Sequence, residues 1–265
     1  MYIISWNING IASSFKELQS LIEDYNPDYV CLQKVRNNSS REKFLIQGYR
    51  QLYSMQDCGN WSGVMIYMKS TNSGRNSVFI NLPQRIPTSE LSKDGHLQVY
   101  DCVDFILVNA YVPFANFSIN GAVDLRKKWD VEFRQLIKGL TVMKPVVICG
   151  DLNIVHTDKD SCEPNIEQNR PCFTSWERDN FNILLNEADL ADPFRTKFPD
   201  EQAATFYGNF RHLKIGNRLD YFLISKNMIP DVGVADILNN FGSGQSVPII
   251  LEFNIGSCNT TLAHS

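Results

Sequence analysis

The feature that most constrains the fold is the segment VVICGDLN at residues 146–153. Its run of β-branched and apolar residues after Pro145 predicts a strand that is covered on both faces, as in the interior of a sheet. Gly150 permits a sharp turn, so Asp151 and Asn153 can point the same way from the strand end. A carboxylate and an amide at that position could hold a phosphate, a water or a metal ion. The alternative is a strand followed by an Asx turn.

Further segments end or begin predicted strands with polar residues. They are SWNINGI at 5–11, CLQ at 31–33, NAYVP at 109–113 and RLDYFLIS at 218–225. Together with GDLN, and in this order, they resemble the exonuclease III / apurinic endonuclease family, a branch of the endonuclease/exonuclease/phosphatase superfamily. The resemblance extends from Met1 to about Phe253, and five motifs in the correct order are far more specific than one.

Hydrophobic spacing and turn residues predict an α/β chain. We expect a helix from an N-cap at Ser13 or Ser14 to Tyr25, a long helix over 123–140 and a helix around 181–185. The first two predicted strands end in the SWNINGI and CLQ segments. Further strands are predicted at residues 49–53, 63–68, 77–82, 96–102, 105–112, 219–225, 232–238 and 248–253. The first five of these, separated by short turns, suggest consecutive antiparallel pairing.

Helices grouped around many strands predict an α/β sandwich. The resemblance implies the same class, a four-layer α/β sandwich of two mixed β-sheets flanked by helices, as in deoxyribonuclease I-like proteins. No linker or repeat interrupts the motifs, so we predict a single domain over residues 1–253 and a polar C-terminal tail over 254–265.

Composition adds limits on location and partners. The net charge of −4 argues against a protein that coats nucleic acid without specificity, although it permits a local basic face. Met1 leads directly into a strand and no apolar run has membrane-spanning length, so we expect an intracellular protein, cytoplasmic or nuclear, that is not secreted and has no membrane partner. Cys31 and Cys149, two of seven cysteines, lie in predicted core strands and are expected to be reduced and buried.

The resemblance implies phosphodiester hydrolysis with a divalent metal, a base, and groups that stabilise negative charge on the phosphate. Several residues of this chain match the family's catalytic positions. They are Asn7, Tyr111, Asp151, Asn153 and Asp220.

Two motifs depart from the family. Lys34 stands where the family has a metal-binding glutamate, and an ammonium repels Mg²⁺. Gln245 and Ser246 replace an aspartate and a histidine, and neither can act as an acid or base near neutral pH. Asp220, without its histidine, is expected to pair with Lys34 or a neighbouring donor. We therefore expect no metal or other cofactor, or Mg²⁺ if the protein is an active enzyme.

The substrate surface also differs from the family pattern, since Tyr207 and Asn217 stand at positions where tryptophan is usual. A set of basic residues, the basic rim, could contact nucleic-acid phosphates; the alternative is a scattered set of solvated charges. The members are Arg126, Lys127, Arg170, Arg178, Arg211 and Arg218.

Two interpretations remain. The first is a catalytically impaired pseudo-nuclease that acts by binding DNA, another nucleic acid or a protein partner, with Lys34 neutralising acids that a metal would otherwise neutralise. The second is an active Mg²⁺-dependent DNA phosphodiesterase in DNA repair, an apurinic endonuclease or 3'-5' exonuclease.

Overall fold

The fold is known from a computed structural model, which describes residues 1–36, 41–54, 63–71, 96–210, 213–242 and 244–254. Within these ranges the strands are β1 (Tyr2–Asn7), β2 (Tyr29–Gln33), β3 (Tyr49–Ser54), β4 (Val64–Lys69), β5 (Leu97–Asp101), β6 (Ile106–Tyr111), β7 (Val146–Asp151), β8 (Leu190–Ala191), β9 (Phe206–Phe210), β10 (Leu213–Asn217), β11 (Asp220–Ser225), β12 (Val232–Ile237) and β13 (Ile249–Phe253). The α-helices there are α1 (Ile11–Tyr25), α2 (Ala122–Thr141), α3 (Pro164–Glu167), α4 (Ser175–Glu187) and α5 (Pro193–Lys197).

The strands form two mixed sheets and a separate hairpin. Among the described residues, one sheet has six strands in the order β12-β13-β1-β2-β4-β3, and the other has five in the order β5-β6-β7-β11-β8. Strands β1 and β2 are parallel, as are β6 and β7, whereas β11 runs antiparallel to β7. Strands β9 and β10 form a two-stranded hairpin, which also makes single bridges from Phe206 to Ser246 and from Asn217 to Ser161.

Alternation along the strands creates the layers, because successive side chains of a strand face opposite sides of its sheet. Val147 and Cys149 of β7 face the six-stranded sheet and pack in a core that also contains Cys31 of β2. Val146 and Ile148 face the other way, towards the apolar sides of α2 and α4. Helix α1 covers the outer face of the six-stranded sheet. The predicted α/β sandwich of two mixed sheets flanked by helices is confirmed.

Details of several elements differ from the predictions. Helix α1 begins at Ile11, two residues before the predicted cap, and Gly10 is its N-cap without a side-chain hydrogen bond. The expected antiparallel pairs form between β3 and β4 and between β5 and β6, but they belong to different sheets, so consecutive pairing does not continue across them. The predicted strand at 77–82 and residues 255–265 of the predicted tail lie outside the described residues.

Two expectations from composition can be compared with the fold. Cys31 and Cys149 are buried free thiols, as predicted. Among the helices in the described part of the chain, none combines the length and the apolar character that crossing a bilayer requires.

Candidate functional site

The site lies where strand ends of both sheets meet. Parallel pairing puts the carboxyl ends of β1 and β2 side by side, and those of β6 and β7, with Tyr111 opposite Asp151 in the register. Because β11 is antiparallel to β7, its first residue, Asp220, lies opposite Asp151 at the same edge. The fold thus gathers motifs that are far apart in the sequence at one edge of the sandwich.

Asp151 is the centre of the site, and the residue is 2% exposed. Asn7 Nδ2, from the six-stranded sheet, donates a 2.7 Å hydrogen bond to Asp151 Oδ2. The backbone N–H of Asn153 donates a 3.1 Å bond to the other oxygen, Oδ1. The bond to Asn7 joins the two sheets, so the carboxylate is oriented by groups from both.

Lys34 supplies the positive charge at this carboxylate. Its Nζ lies 3.6 Å from Asp151 Oδ2, and the lysine side chain keeps 21% of its surface exposed. The ammonium also lies 4.9 Å from the centre of the Tyr111 ring, within the range of a cation–π interaction. The structure therefore places Lys34, where the chain departs from the family, next to Tyr111 and Asp151, where it matches the family.

Burial and charge oppose each other in this group. Burial lowers the pKa of Lys34, but Asp151, Tyr111 and Asp220 outweigh it, so the net pKa is raised and the amine is protonated at neutral pH. Burial raises the pKa of Asp151 above its ordinary value, although the Lys34 ammonium and the Asn153 N–H act to lower it. Without Lys34, Asp151 would be a buried acid with no compensating charge. The lysine therefore reduces the desolvation cost of the ionised Asp151 carboxylate.

Asp220 is held by a neighbouring donor. Thr205 Oγ1 donates a 2.6 Å hydrogen bond to Asp220 Oδ2. The hydroxyl oxygen of Thr205 in turn accepts hydrogen bonds from the backbone N–H groups of Leu219 and Asp220. Asp220 Oδ1 has no hydrogen-bond partner among the described residues. Burial raises the pKa of Asp220 well above its ordinary value, and the nearby Asp151 raises it further. Of this pair of acids, Asp220 therefore has the more strongly raised pKa.

The amide of Asn153 is already used by the protein. Its Nδ2 donates a 2.7 Å hydrogen bond to the carbonyl of Val112, and its Oδ1 lies 3.8 Å from the Cys172 thiol. The residue has a positive φ of 47°, a conformation that asparagine tolerates better than most residues. Asn153 thereby ties the end of β7 to the end of β6.

The segment containing Gln245 and Ser246 is fixed through its backbone. The carbonyl of Gln245 accepts the N–H of Tyr207, and the carbonyl of Ser246 accepts a 3.2 Å bond from Trp6 Nε1. The side chain of Gln245 is exposed and that of Ser246 is buried. Both residues reach the site, but they bring an amide and a hydroxyl to it.

These groups surround a cavity of about 540 Å³, called here the polar cavity. Its lining consists of Asn7, Asn9, Lys34, Arg36, Tyr111, Phe114, Asp151, Asn153, Phe206, Leu219, Gln245 and Ser246. Sequence reasoning did not identify Arg36, Phe114 or Phe206. Arg36 follows Lys34 by two residues, a spacing that could have indicated it, whereas Phe206 comes from a hairpin that was not predicted.

The basic rim needs correction, since two of its arginines are buried and engaged. Arg126 is 4% exposed, and its guanidinium donates to Asp130 Oδ1 at 2.8 Å and to the carbonyls of Pro113 and Asn153. Arg218 is 2% exposed and contacts Asp160 and Asp192 at 2.6 Å each. Arg126 is held by Asp130 of its own helix and by carbonyls of two loops, whereas Arg218 is held by carboxylates from distant parts of the chain.

The other described rim residues lie outside the lining of the polar cavity. Lys127 Nζ is 5.4 Å from the centre of the Trp176 ring, and Arg178 Nη1 is 3.3 Å from Asp158 Oδ1. Arg170 is partly buried, and Arg211 falls outside the described residues. A phosphate in the polar cavity would instead meet Lys34 and Arg36.

The donors present do not fit a divalent metal ion. Mg²⁺ requires several oxygen ligands in a near-octahedral arrangement. Here the Lys34 ammonium occupies one side of Asp151, and Asn7 and Asn153 already bind its oxygens. Among the described residues, His, Cys, Asp and Glu side chains nowhere form a group of three suited to a metal ion.

Comparisons with known proteins agree with this arrangement of strands and motifs. Residues 4–241 match the profile described as the Endonuclease/Exonuclease/phosphatase family. The DNA repair nuclease APEX1 of Danio rerio is 33% identical over 261 residues, 95% of this chain and 81% of that protein. An exodeoxyribonuclease of Bacillus subtilis is 25% identical over 261 residues, 96% of this chain and all of its own length. The structure of a Neisseria 3' phosphatase bound to a product DNA hairpin superposes with a TM-score of 0.81 at 20% identity, covering 96% of this chain and 99% of that one.

Proposed function

Because this chain belongs to the endonuclease/exonuclease/phosphatase family, we propose that it is a pseudo-nuclease of the AP endonuclease and exonuclease type, which binds DNA and cleaves it poorly or not at all. One relative above is a DNA repair nuclease by name, another is an exodeoxyribonuclease, and one structural neighbour holds DNA. DNA is therefore the partner that the family membership supports, and loss of hydrolysis is the part specific to this chain.

One observation carries the proposal, the contact between Lys34 Nζ and Asp151 Oδ2 at 3.6 Å. A protonated amine at this distance competes with any divalent cation for the same carboxylate. Loss of the metal removes both the activation of water and the stabilisation of charge on the phosphate.

The acid–base groups are affected independently. Gln245 and Ser246 line the polar cavity but cannot exchange protons at neutral pH. The loss of one general acid or base typically lowers a rate by about 10² to 10⁴. Together with the missing metal, this places the expected activity at the limit of detection.

The test is an incision assay on duplex DNA containing an abasic site, with Mg²⁺ or Mn²⁺. The parent protein is compared with the triple variant Lys34→Glu, Gln245→Asp, Ser246→His. We expect no cleavage by the parent and measurable cleavage by the triple variant, and adding Asp151→Asn to that variant should abolish the gain and exclude a contaminating nuclease. Metal-dependent cleavage by the parent at the rate of an active family member would overturn the proposal.

Titration calorimetry gives a second, independent readout. The parent should show no Mg²⁺ binding at millimolar concentrations, whereas the triple variant should bind it. Binding by the parent that disappears in Asp151→Asn would show that the ammonium does not exclude the metal, and the proposal would fail.

A further inference from the structure

The loop that follows β2 places two cations beside each other in the polar cavity. Lys34 and Arg36 both line it, and Val35 between them is fully buried in the apolar core under α1. The buried valine therefore acts as an anchor that turns its two neighbours towards the cavity. One lysine is enough to neutralise Asp151, so Arg36 brings a further positive charge to the cavity.

The backbone of this loop is strained and firmly held. Lys34 and Arg36 have φ angles of 50° and 45°, in the left-handed region that side chains other than glycine rarely adopt, at a cost of about 1 kcal/mol or more each. The carbonyls of Lys34 and Val35 accept the N–H groups of Gly10 and Ile11 at 2.8 and 2.9 Å. Such a conformation persists only where the surroundings enforce it, so the direction of both cations is set by the fold.

The acids of the site, in contrast, are already held by hydrogen bonds from the protein. Both oxygens of Asp151 accept hydrogen bonds from Asn7 and Asn153, and Thr205 binds Asp220. Among the residues that line the cavity, Lys34 and Arg36 are the cations and Asp151 is the acid. The side chains that line the cavity thus include two cations and one acid, in a protein whose overall charge is −4.

We propose that the polar cavity binds a phosphate group of DNA directly through Lys34 and Arg36, without a divalent metal. The proposal rests on the proposed function in one respect, that no metal occupies the site. An ammonium serves as a compact point charge for a phosphate, and a guanidinium can bind two of its oxygens. The Tyr111 ring, in contact with the ammonium, is a positioning residue for Lys34.

The test measures the binding of a fluorescent hairpin DNA by anisotropy in the presence of EDTA. We expect the parent to bind equally well with EDTA and with Mg²⁺. Lys34→Met and Arg36→Met should each weaken binding about tenfold, as expected for the loss of one charge-assisted contact. Lys34→Arg, which keeps the charge, should retain most of the affinity.

Lys226→Met is the matched control. Lys226 pairs with Asp189 on the surface and follows the opposite end of β11 from Asp220, about 20 Å away at the usual rise of a strand. The Lys226→Met variant should bind the hairpin DNA with the same affinity as the parent. The slope of log affinity against log salt should fall by roughly one in Lys34→Met and remain unchanged in the control.

Two forms of DNA could supply the phosphate, an internal phosphodiester or a terminal 3'-phosphate. Hairpins with a 3'-hydroxyl and a 3'-phosphate separate them, because only a terminal site prefers the latter. Inorganic phosphate, compared with chloride at equal ionic strength, should displace the DNA from the parent more strongly than from Lys34→Met.

The proposal is overturned if Mg²⁺ strengthens binding tenfold or more, or if Lys34→Met binds like the control while thermal unfolding shows that it is folded. The proposed function fails on a different result, which is cleavage of DNA by the parent. Such cleavage can occur whether or not DNA binding survives EDTA. An absence of cleavage combined with Mg²⁺-dependent binding would refute only the present inference.

Discussion

The ion pair between Lys34 and Asp151 makes a quantitative prediction about stability. At 3.6 Å and an effective dielectric constant of about 20, the attraction between the two charges is about 5 kcal/mol before desolvation is subtracted. Removing one partner of a fully buried pair costs about 3–5 kcal/mol. Because Lys34 keeps 21% of its side chain exposed and Asp151 retains two hydrogen bonds, we expect Lys34→Met to cost about 2 kcal/mol at neutral pH.

The cost should depend on pH in a defined direction. The pKa of Asp151 is already raised in the folded protein, and losing the ammonium raises it further. A raised pKa means that the folded state binds the proton more tightly, so the carboxyl group destabilises the fold increasingly as pH rises from its unfolded value through its folded value. The pKa of Lys34 is also raised, so the parent lysine stays charged and its contribution remains until strongly alkaline pH. The penalty of Lys34→Met should therefore be full at neutral pH and should shrink in acid, where Asp151 is protonated.

Urea unfolding followed by tryptophan fluorescence measures this penalty at neutral and acidic pH. The parent, Lys34→Met, Asp151→Asn and the double variant form a cycle that isolates the coupling between the two side chains. We expect the coupling to account for most of the loss, and Lys226→Met to have little effect. An equal penalty at both pH values, or a coupling below about 0.5 kcal/mol, would refute the assignment of Lys34 as the compensating charge.

Three further predictions concern charged groups. Because the pKa of Lys34 is raised, its amine should not form an imine with the aldehyde of an abasic site, and borohydride should trap no covalent complex with the parent; a trapped complex that is lost in Lys34→Arg would contradict this. Arg218→Met should destabilise the protein by about 3–5 kcal/mol in urea unfolding, because it removes the charged partner of the buried Asp192 and leaves Asp160 with Arg195 alone. Despite burial, Arg218 and Arg195 lower the pKa of Asp160 to about 2, so the stability from this group is present above the ordinary aspartate pKa and is lost as pH falls towards 2. If the parent and Asp160→Asn lost the same amount of stability as pH falls towards 2, this contribution of Asp160 would be refuted.

Much of the fold was predictable because local patterns and tertiary packing agree. The β-branched run of β7 is buried on both faces, as its composition indicates. The hairpin of β9 and β10 was missed because Gly208, Gly216 and several polar residues interrupt the alternation on which strand prediction depends. The start of α1 was missed because Gly10, its N-cap, contributes no side-chain oxygen for a cap.

The site was predictable only as far as its motifs carried it. The motifs identified Asn7, Lys34, Tyr111, Asp151 and the Gln245–Ser246 segment, and all of them line one cavity. The burial of Arg126 and Arg218 was not predictable from the local sequence. Apart from Asp130, which lies one turn along the helix from Arg126, their partners are carbonyls and carboxylates that only the folded chain brings near. The hydrophilic character of an arginine therefore gave a misleading indication of exposure.

The hydrogen bond from Asn7 to Asp151 crosses the boundary between the two sheets. Neither half of the chain therefore contains a complete binding centre, since the amide and the ammonium come from the first 34 residues and the carboxylate comes from residue 151. Separating the sheets by the width of one water molecule would break this bond, and the bonds that Asn109 makes across the same boundary, while every strand ladder stayed intact. Ligand binding at this centre therefore reports on whether the two sheets are packed against each other.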